Sequence, residues 1–256
     1  MIRFGDSYRL PGRVHVLYII TAIMVLSFWV THTQMDANLV HQVGGMIPAD
    51  FFFPEKLADS LPVFTGERGV VQVAELRAPV LITVFWSMFL HADLFHLLSN
   101  LLFFYFFGRN VAAKLGTWRF CSFFLSCGVA GALAETLYGL ESTVPVIGAS
   151  GAISGLLGAY LEWFPDNQFR LVIGSYRAKY REFLIPFKAL FALWIINQLL
   201  MLVLGGGQTQ NVAVLAHIGG FLCGLLISRG RGGGLGWRRK RFKVYPGGGP
   251  GPWGVD

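Results

Sequence analysis

The chain has 256 residues, 54% of them hydrophobic and 14% charged, and a mean hydropathy of +0.55. Soluble domains carry roughly 25% charged residues, so an ordinary soluble globule is excluded, and 23 Phe, 7 Trp and 8 Tyr exclude a disordered chain. The net charge of +7 does not point to nucleic acid, because seven of the 21 basic residues follow Ser228 in a Gly-rich tail suited to anionic lipid. What remains is an all-α polytopic membrane protein; the long continuous apolar runs argue against a β-barrel.

Residues 14–34 contain no Asp, Glu, Lys or Arg and are long enough to cross a bilayer. No A-x-A-like cleavage site follows them, so they are read as a retained helix rather than a signal peptide. Residues 78–108 carry one charge, Asp93, and read as a second helix from about Leu94. Residues 120–134 give a third. Residues 142–161 give a fourth, starting near Ser150 because Pro145 and Gly148 precede it. The uncharged stretch 189–228 is split by Gly205-Gly206-Gly207-Gln208 into a fifth and a sixth. Cys121, Cys127 and Cys223 all lie in apolar runs and read as small buried residues, not a disulfide framework.

Charge sets the orientation. The N-terminus, loop two-three, loop four-five and the tail carry 18 of the 21 basic residues. The opposite side has only Lys56, Arg68 and Arg77, among six acidic residues. The positive-inside rule then places both termini in the cytoplasm and requires an even number of spans. The predicted layout is a cytoplasmic segment 1–13, a six-helix membrane domain 14–229 and a basic, Gly/Pro-rich cytoplasmic tail 230–256. A long outer loop, 35–80, carries Phe51-Phe52-Phe53 and is expected at the outer leaflet interface.

Polar residues inside spans are costly and face a bundle interior or a water-filled cavity. At 1.5 Å per residue, Ser150, His217, His96 and Asn100 lie roughly 24, 18, 20 and 14 Å from the inner border. One Ser, two His and one Asn on three helices thus share the middle-to-outer part of the membrane. A hydroxyl nucleophile needs a base, which a neutral imidazole supplies near pH 7. The resulting oxyanion needs fixed donors. Gly148 and Gly151 flank Ser150 at a loop-to-helix junction with free backbone N–H groups. Gly151, Gly155 and Gly158 form a small-residue stripe, as do Gly220 and Gly224 after His217, so the fourth and sixth helices can approach closely.

Gly-Ala-Ser-Gly at 148–151, Ala216-His217 with Gly220 and Gly224, and His91-x4-His96-x3-Asn100 opening a helix together resemble the rhomboid family of intramembrane serine proteases. The likeness extends to Met88-Phe89-Leu90-His91, to Gly108 and to Val144-Pro145-Val146-Ile147, and covers roughly residues 79–229. The layout is similar to the bacterial six-helix form. The resemblance implies Ser150 as nucleophile and His217 as general base. It implies an oxyanion hole of His96, Asn100 and the Ser150 N–H, and a loop-holding role for His91. It implies no cofactor and no metal, transmembrane protein substrates, and an integral location in a bacterial inner membrane. Two features departing from many relatives are Arg109-Asn110-Val111-Ala112 after Gly108, where a Glu is common, and the lack of a Trp-Arg pair in the outer loop.

Blander roles compete. Ser150 could simply cap a helix, and His217 could be a satisfied interior histidine. Ser154, one turn after Ser150, is expected to bond back to a helix carbonyl. Asn197 and Gln198 fit either an interhelical hydrogen bond or the lining of a substrate entrance. His15, His32 and His41 lack metal-ligand spacing. The alternatives to a protease are a non-catalytic protein that binds transmembrane helices and, ranked last for want of an inverted repeat and of intramembrane charge, a small transporter or channel.

Overall fold

A computed structural model describes residues 2–6, 14–61, 63–66, 69–175, 178–204 and 213–232. The Gly205–Gln208 break and the tail after residue 232 fall outside them. The first long helix is α1 (His15–Thr33). A bent unit follows the outer loop: α6 (Val80–Trp86), a 3-10 turn (Ser87–Phe89), a short break, then α7 (Leu94–Leu115). The two halves meet at 84°. Gly116, with φ +74°, reverses the chain directly into α8 (Thr117–Tyr138). Then come α9 (Ser150–Trp163), α10 (Phe187–Leu204) and α11 (Val214–Gly232).

Helix α9 is the axis. Every residue from Gly151 to Tyr160 is buried, packed between α8, α11 and α7. Large apolar side chains lie on both sides: Phe104, Phe120, Phe124 and Leu156 are buried in the bundle, whereas Phe95 is 82% exposed and Leu193 62%. Exposed Leu and Phe around a glycine-rich axis suit a lipid solvent, where interfaces form by close backbone approach. Among the described residues, α1 and α8 qualify as spans by length and apolarity and the bent α6–α7 unit as a third. Helices α10 and α11 are apolar over shorter stretches. Helix α9 has 14 residues, fewer than the ~20 of a free-standing span, and it is sheathed by its neighbours.

The all-α expectation needs correction outside the bundle. Strand β1 (Ile2–Asp6) pairs antiparallel with β4 (Gln168–Ser175), which pairs antiparallel with β5 (Ala178–Pro186). Loop four-five is therefore a hairpin, and it holds the N-terminal segment at its own end of the bundle. Its charges draw attention from an apolar alternation of period two at Phe169, Leu171 and Ile173, which is a strand signal. The third helix also runs four residues past its expected end at 134.

The described residues of the 35–80 loop are folded. They contain α2 (Ala37–Gly44), α3 (Ala49–Phe52), α4 (Pro54–Ser60), a hairpin of β2 (Val63–Gly66) and β3 (Gly69–Gln72), and α5 (Val73–Leu76). Ile47, Ala49, Leu57, Leu61 and Val73 form a small core of their own. Arg77 and Asp50, both nearly buried, pair at 2.6 Å, and Arg77 also donates to the Gln42 and Gly45 carbonyls. This ion pair ties the loop down without a Trp-Arg pair. After Gly108, Asn110 donates to Tyr160 Oη at 3.1 Å, and Asn167 bonds the same oxygen. A neutral buried network thus joins α7, α9 and the residue that precedes the hairpin.

Candidate active site

Ser150 is the first residue of α9, so its N–H is one of the donors a helix start leaves unpaired. The strand-like segment before it is zipped to the outer loop: Val146 donates to Met46 at 2.7 Å and Met46 to Val146 at 3.2 Å. Gly148 donates to the Ser87 carbonyl at 2.8 Å. These bonds fix the backbone that presents Ser150 before any side-chain partner is counted.

The partner is His217. Its Nε2 lies 2.8 Å from Ser150 Oγ. The approach depends on the glycine stripes. A Cβ at Gly151 would press on the Ala216 carbonyl at 3.3 Å, and one at Gly220 or Gly224 would overlap the carbonyls of Gly151 or Gly155. Helices α9 and α11 therefore touch backbone to backbone.

Gly148 faces α7. Its φ of +111° is disfavoured for side-chain-bearing residues, and a Cβ there would sit 2.7 Å from His96 Nε2 and 3.8 Å from Asn100 Nδ2. Helix α7 is capped by Asp93, whose carboxylate accepts the His96 N–H at 2.8 Å. The Ala92 N–H donates to His96 Nδ1 at 3.4 Å, so the neutral ring carries its proton on Nε2, on the side of the serine loop. Asn100 donates one N–H to the His96 carbonyl at 3.0 Å and keeps a second amide proton. His91 is 1% exposed, stacks edge-on against His96 at 5.1 Å, and lies 3.3 Å from the Phe89 carbonyl through Nδ1.

All of the motif residues thus converge, and a cavity of about 1240 Å³ is lined by Ser150, His217, His96 and Asn100. Gln198, Asn197 and Glu135 are among the further polar residues that line it. Gln198 Oε1 lies 2.8 Å from His217 Nδ1, which selects the interhelical hydrogen bond over the entrance role. Glu135, at the end of α8, accepts the Ala216 N–H at 3.0 Å. The sequence reading missed Glu135 by ending the third helix one residue before it; a carboxylate closing an apolar helix was the available signal. Chemically, the set offers a hydroxyl, a base with a free Nε2 lone pair, and N–H donors around one point.

Residues 79–232 match the family model described as Rhomboid domain. The chain belongs to the rhomboid family. Like its relatives it is an integral membrane protein. Rhomboid protein 1, mitochondrial, of Saccharomyces cerevisiae is 33% identical over 96 residues, covering 36% of this rhomboid and 28% of that protein. RHOMBOID-like protein 1 of Arabidopsis thaliana is 31% identical over 144 residues, covering 56% and 33%. Rhomboid-like protease 1 of Toxoplasma gondii is 27% identical over 140 residues, covering 55% and 43%. The matched stretch is less than half the length of each of these relatives.

Proposed function

We propose that this rhomboid is an intramembrane serine endopeptidase that cleaves transmembrane segments of membrane proteins through a Ser150–His217 dyad. The observation that carries the reading is the 2.8 Å contact between Ser150 Oγ and His217 Nε2 in a cavity that His96 and Asn100 also line. His217 takes the hydroxyl proton as Oγ attacks the scissile carbonyl. The oxyanion accepts hydrogen bonds from the Ser150 N–H, His96 Nε2–H and the second Asn100 N–H. His217 then protonates the leaving amine, and water hydrolyses the acyl-enzyme by the reverse proton path. Substrates with helix-breaking small residues are preferred, because a regular helix hides its scissile carbonyl in its own hydrogen bonds.

The domain in this reading has six spans over residues 14–229, with the 1–13 segment and the 230–256 tail on the cytoplasmic side of a bacterial inner membrane. Basic-residue asymmetry supports that orientation. So does the sheet that joins residues 2–6 to loop four-five at one end.

The test is cleavage of a tagged single-pass substrate in proteoliposomes, with a fluorophosphonate probe in parallel. Wild type cleaves and labels, whereas Ser150→Ala and His217→Ala do neither. A folded wild type that neither labels nor cleaves any of several substrates would overturn the dyad and leave the helix-binding alternative.

A further inference from the structure

Helix α10 is apolar on nearly every side. Leu193, Ile196 and Leu199 are each more than half exposed, as expected of lipid-facing positions, whereas Gln198 is 5% exposed. A buried amide on such a helix is costly unless it is hydrogen-bonded. Its oxygen is spent on one atom, His217 Nδ1, at 2.8 Å.

That contact has a chemical consequence. A carboxamide oxygen only accepts, so the Nδ1 facing it carries the ring proton. The proton cannot then sit on Nε2, and the Nε2 lone pair is left free for the Ser150 hydroxyl 2.8 Å away. An imidazole without this partner has no reason to keep its proton on the far nitrogen, and the Nε2–H tautomer cannot act as a base toward serine. Among the described residues, the nearby carboxylate of Glu135 is engaged with the Ala216 N–H instead.

We propose that Gln198 is the positioning residue of His217, a neutral third member that fixes its tautomer and ring orientation from α10. The inference deepens the protease reading and rests on it. His96 on α7 interacts electrostatically with His217 and Glu135 on α8 holds the neighbouring Ala216 N–H, and both stay unchanged in the variants below.

The experiment uses the full chain in proteoliposomes with a single-pass substrate, comparing wild type with Gln198→Leu, Gln198→Met and Gln198→Glu. The two apolar variants lose the acceptor; their kcat falls on the order of 10- to 100-fold with KM within about twofold, a smaller loss than the ~10⁴ of a triad locked in the wrong tautomer. Gln198→Glu keeps an acceptor and restores most of kcat. Its carboxylate favours the imidazolium, so the acid limb of the pH–rate profile moves to higher pH. Nitrogen-15 NMR of labelled histidine reports the Nδ1–H form at His217 in wild type and its loss in the apolar variants. Unchanged kcat, pH profile and tautomer in a folded Gln198→Leu or Gln198→Met protein would overturn the proposal. If wild type hydrolyses nothing yet the tautomer still follows residue 198, the protease reading falls while the positioning role stands.

Discussion

Glu135 at the end of α8 accepts the backbone N–H of Ala216, one residue ahead of His217, at 3.0 Å. A carboxylate at the first turn of α11 meets both an unpaired N–H and the positive end of the helix dipole. Removing it loosens the turn that presents His217. Glu135→Ala should lower stability by about 0.5–2 kcal/mol, the range for a lost cap, and Glu135→Gln by less. Thermal unfolding in detergent measures this. Protease activity should fall with Glu135→Ala at temperatures where the protein remains folded, since the turn and not only the fold is affected. A melting curve and turnover both matching wild type would remove Glu135 from the account.

His96 and Asn100 meet Gly148 from α7, which predicts transition-state rather than substrate binding effects. His96→Ala and Asn100→Ala should each reduce kcat by roughly 10²–10³-fold, the range for one oxyanion donor, with little change in KM. Gly148→Ala should act on the same group indirectly. Its methyl would sit 2.7 Å from His96 Nε2 and its φ is unfavourable for alanine, so both stability and kcat should drop. Steady-state kinetics on one substrate separates the cases: a rise in KM at constant kcat would assign these residues to ground-state binding instead.

Much of the membrane bundle was legible because it obeys simple rules. Uncharged runs marked the long helices, and glycine spacing marked which pair could touch. The motif residues Ser150, His217, His96 and Asn100 shared a depth before they shared a site. Other parts were hidden for physical reasons. Gln198 is one polar residue beside another, and only rotation about the α10 axis decides which of Asn197 and Gln198 reaches His217. The loop four-five strands were masked by charges that read as orientation signals. In the outer loop, short amphipathic helices such as α2 lack the length to announce themselves. The Arg77–Asp50 pair joins residues 27 positions apart, which local pattern does not connect.

The backbone contact between α9 and α11 makes a steep prediction. A Cβ at Gly224 would overlap the Gly155 carbonyl, and neither backbone is a flexible group that can yield. Gly224→Ala should cost at least the 1–3 kcal/mol of an overpacked core and separate the helices that carry Ser150 and His217. Gly230, with open space around it, is the control. Gly230→Ala should leave the melting temperature within a degree or two of wild type. Equal melting temperatures for Gly224→Ala and wild type would mean that the two helices are not held at backbone contact.

Arg77 and Asp50 form a nearly buried ion pair in which the guanidinium also serves two backbone carbonyls. Removing one partner strands the other away from water. Arg77→Met should therefore cost about 3–5 kcal/mol, or less to the extent that the outer loop can open locally and rehydrate Asp50. Hydrogen exchange distinguishes these. Faster exchange confined to residues 37–76 would show the loop unfolding alone, and no change there would show that the pair does not anchor it.

His41 makes stability depend on pH. It lies in the outer loop, half-buried, with its Nε2 enclosed and unpartnered. Burial pushes its pKa below the usual histidine value of 6.5, and the neighbouring His32 ring, 5.9 Å away, pushes in the same direction. The folded protein therefore holds His41 neutral at pH values where the unfolded chain has begun to protonate it. Between the unfolded value near 6.5 and the lower folded one, the unfolded state binds more protons, so stability falls as pH falls. The contribution is fully present above pH 6.5 and drains away below it. Melting temperature should decline from pH 8 toward pH 5, and the decline should be shallower in His41→Gln, which cannot titrate. The difference between the two curves isolates His41 from other acid-sensitive groups, and parallel curves would show that its burial does not control acid stability.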